Sequence, residues 1–141
     1  MIRVVIDTNI VVSAMLRSGG LPEAVFNLAV DRITVQLYFS APVMAEYEEV
    51  LHRPRLNINP DKVNDALARI RRAGLPVIPT VIVTAASDPD DNIFLECAQT
   101  AEAHYLVTGN IKDFPAVWQT TRMVTAREFM EVFAGAQRRP S

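Results

Sequence analysis

The stretch "IRVVIDTNIVVS" (residues 2–13) decides how this chain is read. Its first five residues are mostly β-branched, the pattern of a central strand buried on both faces of a parallel sheet. Asp7, Thr8 and Asn9 then interrupt an apolar run that resumes at Ile10. A carboxylate beside such a run is either neutralised by something or used for something. As turn chemistry, Asp, Thr and Asn all hydrogen-bond nearby backbone and cap the segment that follows. As a functional group, Asp7 needs partners from elsewhere in the chain.

Outward from that strand, "RSGGLP" (17–22) breaks the chain, and residues 22–31 carry Val25, Leu28 and Ala29 at helical spacing behind Pro22. Residues 33–39, ITVQLYF, read as a second strand. A helix starts at Ser40-Ala41-Pro42 and runs toward Pro54. Residues 61–73 form a polar, Arg-rich helix with Gly74 as its cap. "VIPTVIVTA" (77–85) is β-rich but broken by Pro79, which demotes part of it to an edge or a connection. Residues 87–104 read as a helix, 105–109 as a strand and 122–125 as a last short strand. Thr125 and Glu128 have the spacing of a capping box for a final helix to about Phe133. Strands alternating with helices predict an α/β fold, a three-layer α/β/α sandwich with a mostly parallel sheet. The prediction is one domain over residues 1–134, with 135–141 as a frayed tail.

Composition sets the outer bounds. At 141 residues the chain fits one domain with a substantial core. Half the residues are hydrophobic, 21% are charged and the formal net charge is −2, as in an ordinary globular protein. That balance names no polyanionic partner, so any nucleic-acid contact must rest on a local site. The single cysteine, Cys97, cannot form an intramolecular disulfide, and no zinc-site spacing is present. No secretory leader pattern opens the chain, and no apolar stretch reaches the roughly 18 residues of a membrane span. A cytoplasmic location is the expectation.

Ligands in folds of this class sit beyond the carboxyl ends of the strands. Asp7 follows the first strand, and Thr108, Gly109 and Asn110 follow "YLV". In the helix after Pro42, Val43, Met44, Tyr47, Val50 and Leu51 mark the apolar face. At about 100° per residue, Glu46 falls at the margin of that stripe and Glu49 well away from it. In "SDPDDN" (87–92), Asp88 with Pro89 is a helix start. Asp91 lines up with Phe94, Leu95 and Ala98, and Asp90 also lies near the apolar arc; spacing does not choose between them. Asp113 offers a further oxygen on the loop after Asn110. Each residue taken singly has a structural explanation: a cap, a solvated charge, a polar loop.

Together they place acidic or amide groups from separate segments at one predicted sheet edge. Clustered carboxylates cannot all stay ionised in a partly buried pocket without a cation or a raised pKa. Oxygen-only ligands suit Mg²⁺ or Mn²⁺ rather than zinc, and Mg²⁺ takes only one or two direct carboxylates. The chemistry such a site supports is metal-assisted phosphodiester hydrolysis. No histidine is required, and His52 and His104 read as surface or helix-end residues.

In this order, "VVIDTNIVVSAML", "PVMAEYEEVL" and "SDPDDNIFLECAQTAEAHYLVTGNIKDF" resemble the PIN-domain nucleases, in particular the bacterial toxin components of toxin–antitoxin pairs related to the VapC-like toxins. The resemblance covers residues 2 to about 130. It implies an α/β/α sandwich that holds Mg²⁺ or Mn²⁺ and cuts RNA. It carries metal-binding roles onto Asp7, Glu46 and Asp91, and so selects Asp91 over Asp90. At the fourth acidic position many relatives have aspartate where this chain has Asn110, and Asp113 stands in reach to complete the catalytic set. Thr8 and Thr108 match hydroxyl residues that orient the acidic groups, with Asn110 supporting them. A homodimer and a small antitoxin partner are further implications of the resemblance. Arg17, Arg53, Arg55, Arg69, Arg71 and Arg72 are candidate phosphate contacts, or solvated helix faces.

Two other classes compete. A non-catalytic regulatory or RNA-binding module, PIN-like or of the phosphoacceptor receiver type, also has an acidic pocket; a receiver would want an acidic pair ahead of Asp7, and none precedes it. An aspartyl-nucleophile phosphatase would show Asp-x-Asp, and position 9 is Asn.

Overall fold

The computed structural model describes residues 1–138. The chain runs β1 (Ile2–Ile6), α1 (Thr8–Leu16), α2 (Leu21–Asp31), β2 (Val35–Phe39), α3 (Ala41–Leu51), α4 (Pro60–Ala73), β3 (Leu75–Pro76), α5 (Asn92–Ala101), β4 (Tyr105–Val107), β5 (Val117–Trp118), β6 (Thr121–Val124) and α6 (Ala126–Arg138). β1 is the strand its composition predicts. It pairs in parallel with β2 on one side and β4 on the other, which is why Val4, Val5 and Ile6 are all but completely buried. The six-stranded sheet has the order β3-β2-β1-β4-β6-β5, parallel throughout except for the β5–β6 pair. α5 lies against β1, β2 and β4 with α3 beside it, while α2 contacts β2 and α6 contacts β4 and β6. That is the expected α/β/α sandwich.

The topology also explains where a site forms. From β1 the chain moves to β2 on one side and later returns to β4 on the other, so the carboxyl ends of β1 and β4 flank the topological switch point, the ordinary crevice of such sheets. Asp7 and Thr108 are the first residues beyond those two ends.

Several segments differ from the sequence expectation. Residues 8–16, given no element from the sequence, form α1. Asp7 donates its backbone N–H to Val107 O (2.9 Å) as the last ladder bond, and Ile10 N–H then bonds Asp7 O (3.0 Å), closing the first helical turn. A short apolar run does not by itself distinguish strand from helix. Residues 77–85 form no strand. Val77 N–H makes a last bond to Phe39 O, Pro79 has no N–H to continue the ladder, and Val83 N–H goes instead to the Glu96 carboxylate of α5. The 87–104 helix is shorter: a 3₁₀ turn at Pro89–Asp91 precedes α5, and Glu102, at φ 50°, ends it. The capping box is present, with Thr125 N–H bonding Glu128 Oε1 and Glu128 N–H bonding Thr125 Oγ1. α6 continues past Phe133 to Arg138, so residues 135–138 of the predicted tail are helical; Phe129, Met130 and Phe133 pack the helix onto the core beneath them. Residues 139–141 of that tail lie outside the described residues. Among the described residues no helix is long and apolar enough to cross a membrane.

Gly74 caps α4, but not through a left-handed backbone: its φ is −80°. A Cβ there would stand 2.7 Å from the Phe39 ring and 2.8 Å from the Ile70 carbonyl oxygen, so glycine is needed for close approach of α4 to β2. Gly74→Ala is expected to destabilise the fold by about 1–3 kcal/mol, the usual range for overpacking. Urea denaturation reads this directly, and an unchanged midpoint would refute it.

Candidate active site

Asp7 is 4% exposed at the end of β1. Its backbone occupies the N-cap position of α1, and its side chain makes no full capping hydrogen bond there; the Thr8 and Asn9 amides only offset part of the cost of its burial. Thr108, at the end of the adjacent β4, donates its hydroxyl to Asp7 Oδ2 at 2.7 Å and accepts from the Asn110 backbone N–H at 3.0 Å. On the other side, Thr8 donates its hydroxyl to Glu46 Oε2. Thr8 therefore orients Glu46 and Thr108 orients Asp7, each hydroxyl serving one carboxylate. The register of α3 that brings Glu46 inward is held by buried Tyr47, whose hydroxyl donates to the Ile6 carbonyl immediately before Asp7. Glu49 is exposed and paired with Arg53, as the wheel predicts.

Asp91 enters from the 3₁₀ turn ahead of α5. Asp88 builds that turn by accepting from Asp90 N–H, the helix-start role expected of it. Asp91 is partly buried and Asp90 exposed. Burial raises the Asp91 carboxyl to about 7, and the negative charges of Asp7, Asp88, Asp113 and Glu46 push the same way. Asp7 is raised to about 6, chiefly by burial; the Thr108 hydrogen bond and the Thr8 and Asn9 amides offset part of this, and Glu46 adds to it. Asp91 thus senses the charge of Asp7, and Asp7 that of Glu46. The structure brings Asp7, Glu46, Asp91 and Asp113 into one electrostatic unit.

Asn110 is exposed and supports the unit through its backbone N–H on Thr108. Asn9 does more than shape a turn. Its Oδ1 accepts from Gly109 N–H at 3.0 Å, tying the start of α1 to the loop after β4. Sequence reasoning missed that contact, and the Tyr47 anchor, because both join positions far apart in the chain. Asp7, Thr8, Asn9, Glu46, Arg53, Arg55 and Asn110 are among the residues lining a cleft of about 370 Å³. Of the six arginines proposed from the sequence, only Arg53 and Arg55 line it; Arg69 pairs with Asp65 and Arg71 with Glu48 instead.

Among the described residues, no group of three His, Cys, Asp or Glu side chains is arranged to hold a metal ion. Mg²⁺ asks for less: one or two direct carboxylates and several waters. Asp7 and Asp91 fit that demand: both are oxygen donors, the Asp7 charge bears on Asp91, and burial is the chief cause of the raised proton affinity of each.

The Thr108 hydroxyl is testable. Thr108→Val removes a donor to a buried carboxylate and an acceptor for Asn110 N–H, and is expected to cost about 1–3 kcal/mol. The Asp7 carboxyl should also move above about 6, because that hydrogen bond favours its charged form. Thr108→Ser should restore both properties in denaturant titrations and in the pH profile; equal losses in the serine variant would show that shape, not the hydroxyl, matters.

A family model described as PIN domain matches residues 3–112 of this chain. An uncharacterized protein of Methanocaldococcus jannaschii, MJ1680, is 26% identical over 145 residues, spanning 94% of this chain and 92% of that protein.

Proposed function

The chain belongs to the PIN-domain family, in general a nuclease fold, and from that premise we propose that it is a Mg²⁺- or Mn²⁺-dependent endoribonuclease. The observation that carries the proposal is the convergence of Asp7 and Asp91 from separate segments of the chain, close enough that the Asp7 charge helps to raise the Asp91 carboxyl to about 7. Asp7 and Asp91 would hold the ion directly, with Glu46 completing the set through water or as a third ligand. When bound, the ion supplies Lewis acidity for hydrolysis of the phosphodiester.

The chain's own residues do the rest. Thr108 and Thr8 fix the directions of the Asp7 and Glu46 carboxylates before substrate arrives, so little reorganisation remains at the moment of reaction. Asp113 fills the place that the Asn110 departure leaves open in the acidic set. Arg55, which lines the same cleft and makes no ion pair among the described residues, lies where substrate phosphates would meet positive charge, while Arg53 is held by Glu49.

On the same reading the protein is the toxin of a toxin–antitoxin pair, acts in the cytoplasm, forms a homodimer and is restrained by a small antitoxin. Support for that finer role comes from the motif resemblance alone. A non-catalytic PIN-like scaffold that binds RNA without cutting is the second reading, favoured by Asn110. RNA cleavage by the purified chain, freed of any partner and supplied with Mg²⁺ or Mn²⁺, separates the two. Cutting by wild type that an Asp7→Asn variant lacks supports the nuclease; equal behaviour of the two proteins sinks it.

A further inference from the structure

A second cleft adjoins the acidic one. It has a volume of about 450 Å³, within the range of small-ligand sites, and shares Asn9 and Asn110 with its neighbour. Its further walls include Ser13, Pro22 and Arg127. The two asparagines therefore form a ridge, with Asp7, Glu46, Arg53 and Arg55 on one side and Ser13 and Arg127 on the other. Arg127 is exposed in the first turn of α6 and makes no ion pair among the described residues. Asn9 is fixed in orientation by Gly109 N–H at its Oδ1, which leaves its amide N–H₂ as a donor.

A third depression beside the acidic site carries Glu46, Glu49 and Asp90, and its one arginine, Arg53, is already paired with Glu49. That side repels a polyanion. A chain of phosphates lying along Arg55, which makes no ion pair among the described residues, thus meets positive charge and hydrogen-bond donors next across the ridge, not past Asp90. Resting on the nuclease reading above, we propose that the cleft of Asn9, Ser13 and Arg127 is a nucleotide subsite. It holds the residue of the RNA strand adjoining the scissile phosphate, with Arg127 on the neighbouring phosphate and the Asn9 amide as a second donor.

The test compares Arg127→Ala with Arg127→Lys, and with Arg122→Ala as a control at the opposite end of the sheet. Loss of one charge-assisted contact should raise KM about tenfold. Because the contact is made before and during the reaction, kcat should stay within about twofold. The slope of log KM against log salt should shrink by about 0.7, the share of one single-strand phosphate. The lysine variant should keep most of that slope, and Arg122→Ala should change nothing. The same arginine substitutions in an Asp7→Asn background, read by fluorescence anisotropy with a labelled RNA oligonucleotide, report binding where nothing is cut. Weaker binding in Arg127→Ala without any wild-type cleavage would keep the subsite and end the nuclease reading. Cleavage by wild type with KM, slope and binding all indifferent to Arg127 would end the subsite and keep the nuclease. Neither cleavage nor RNA binding by wild type would end both.

Discussion

Asp7→Asn is expected to reduce metal-dependent RNA cleavage by about 10³-fold or more and, at neutral pH, to make the metal-free protein more stable. The first effect follows from removing a ligand whose ion supplies several kcal/mol of transition-state stabilisation, each 1.36 kcal/mol being about tenfold in rate. The second follows from burial. Asp7 is held at about 6 in the folded chain against 3.8 for a free aspartate, so ionising it in place costs about 3 kcal/mol at 1.36 kcal/mol for each pH unit. An amide has the same shape and no such cost, and still accepts from Thr108. Single-turnover rates and denaturant titrations measure the two effects separately. An Asn variant that is both inactive and less stable would assign Asp7 a structural role.

Cleavage is expected to rise steeply with pH through the interval from about 6 to about 7, the positions of Asp7 and Asp91 in the metal-free fold. Each carboxyl must lose its proton before it can ligate, so two protons leave and the log rate should climb with a slope approaching 2 on the acid side. The two groups interact, so the steps belong to the pair and not to either residue. Raising the metal concentration should displace the profile toward lower pH by direct competition with protons. The stability of the metal-free protein runs the other way. A carboxyl whose folded pKa is raised contributes most below its unfolded value near 3.8, and that contribution is lost as pH rises through about 6 for Asp7 and about 7 for Asp91. Melting temperature without metal should therefore fall over that window, and excess Mg²⁺ should remove the fall by binding the ionised pair. A slope near zero in activity, with no metal effect on melting, would place the ion elsewhere.

Much of this arrangement was legible before the fold was known. Glu46 sits at the edge of an apolar stripe whose spacing alone turns it inward and turns Glu49 out, and the structure keeps that distinction. Asp90 and Asp91 were not separable by spacing, since both fall near the apolar arc of the helix that the sequence predicts, at its first turn. Burial decides it: the turn at Pro89–Asp91 sinks Asp91 and leaves Asp90 in solvent. α1 was invisible for a different reason, its β-branched residues serving strand and helix alike.

The sequence by itself determined most of the alternation of strands and helices and the burial of β1, and narrowed the acidic candidates without choosing between Asp90 and Asp91, because periodicity and composition are local properties of the chain. Only the tertiary structure decided that β4 lies beside β1, that Thr108 therefore serves Asp7 while Thr8 serves Glu46, and that Asn9 bonds Gly109 across 100 residues. Those contacts depend on strand order, and strand order is set by how the helices close over the whole sheet, which no stretch of twelve residues encodes.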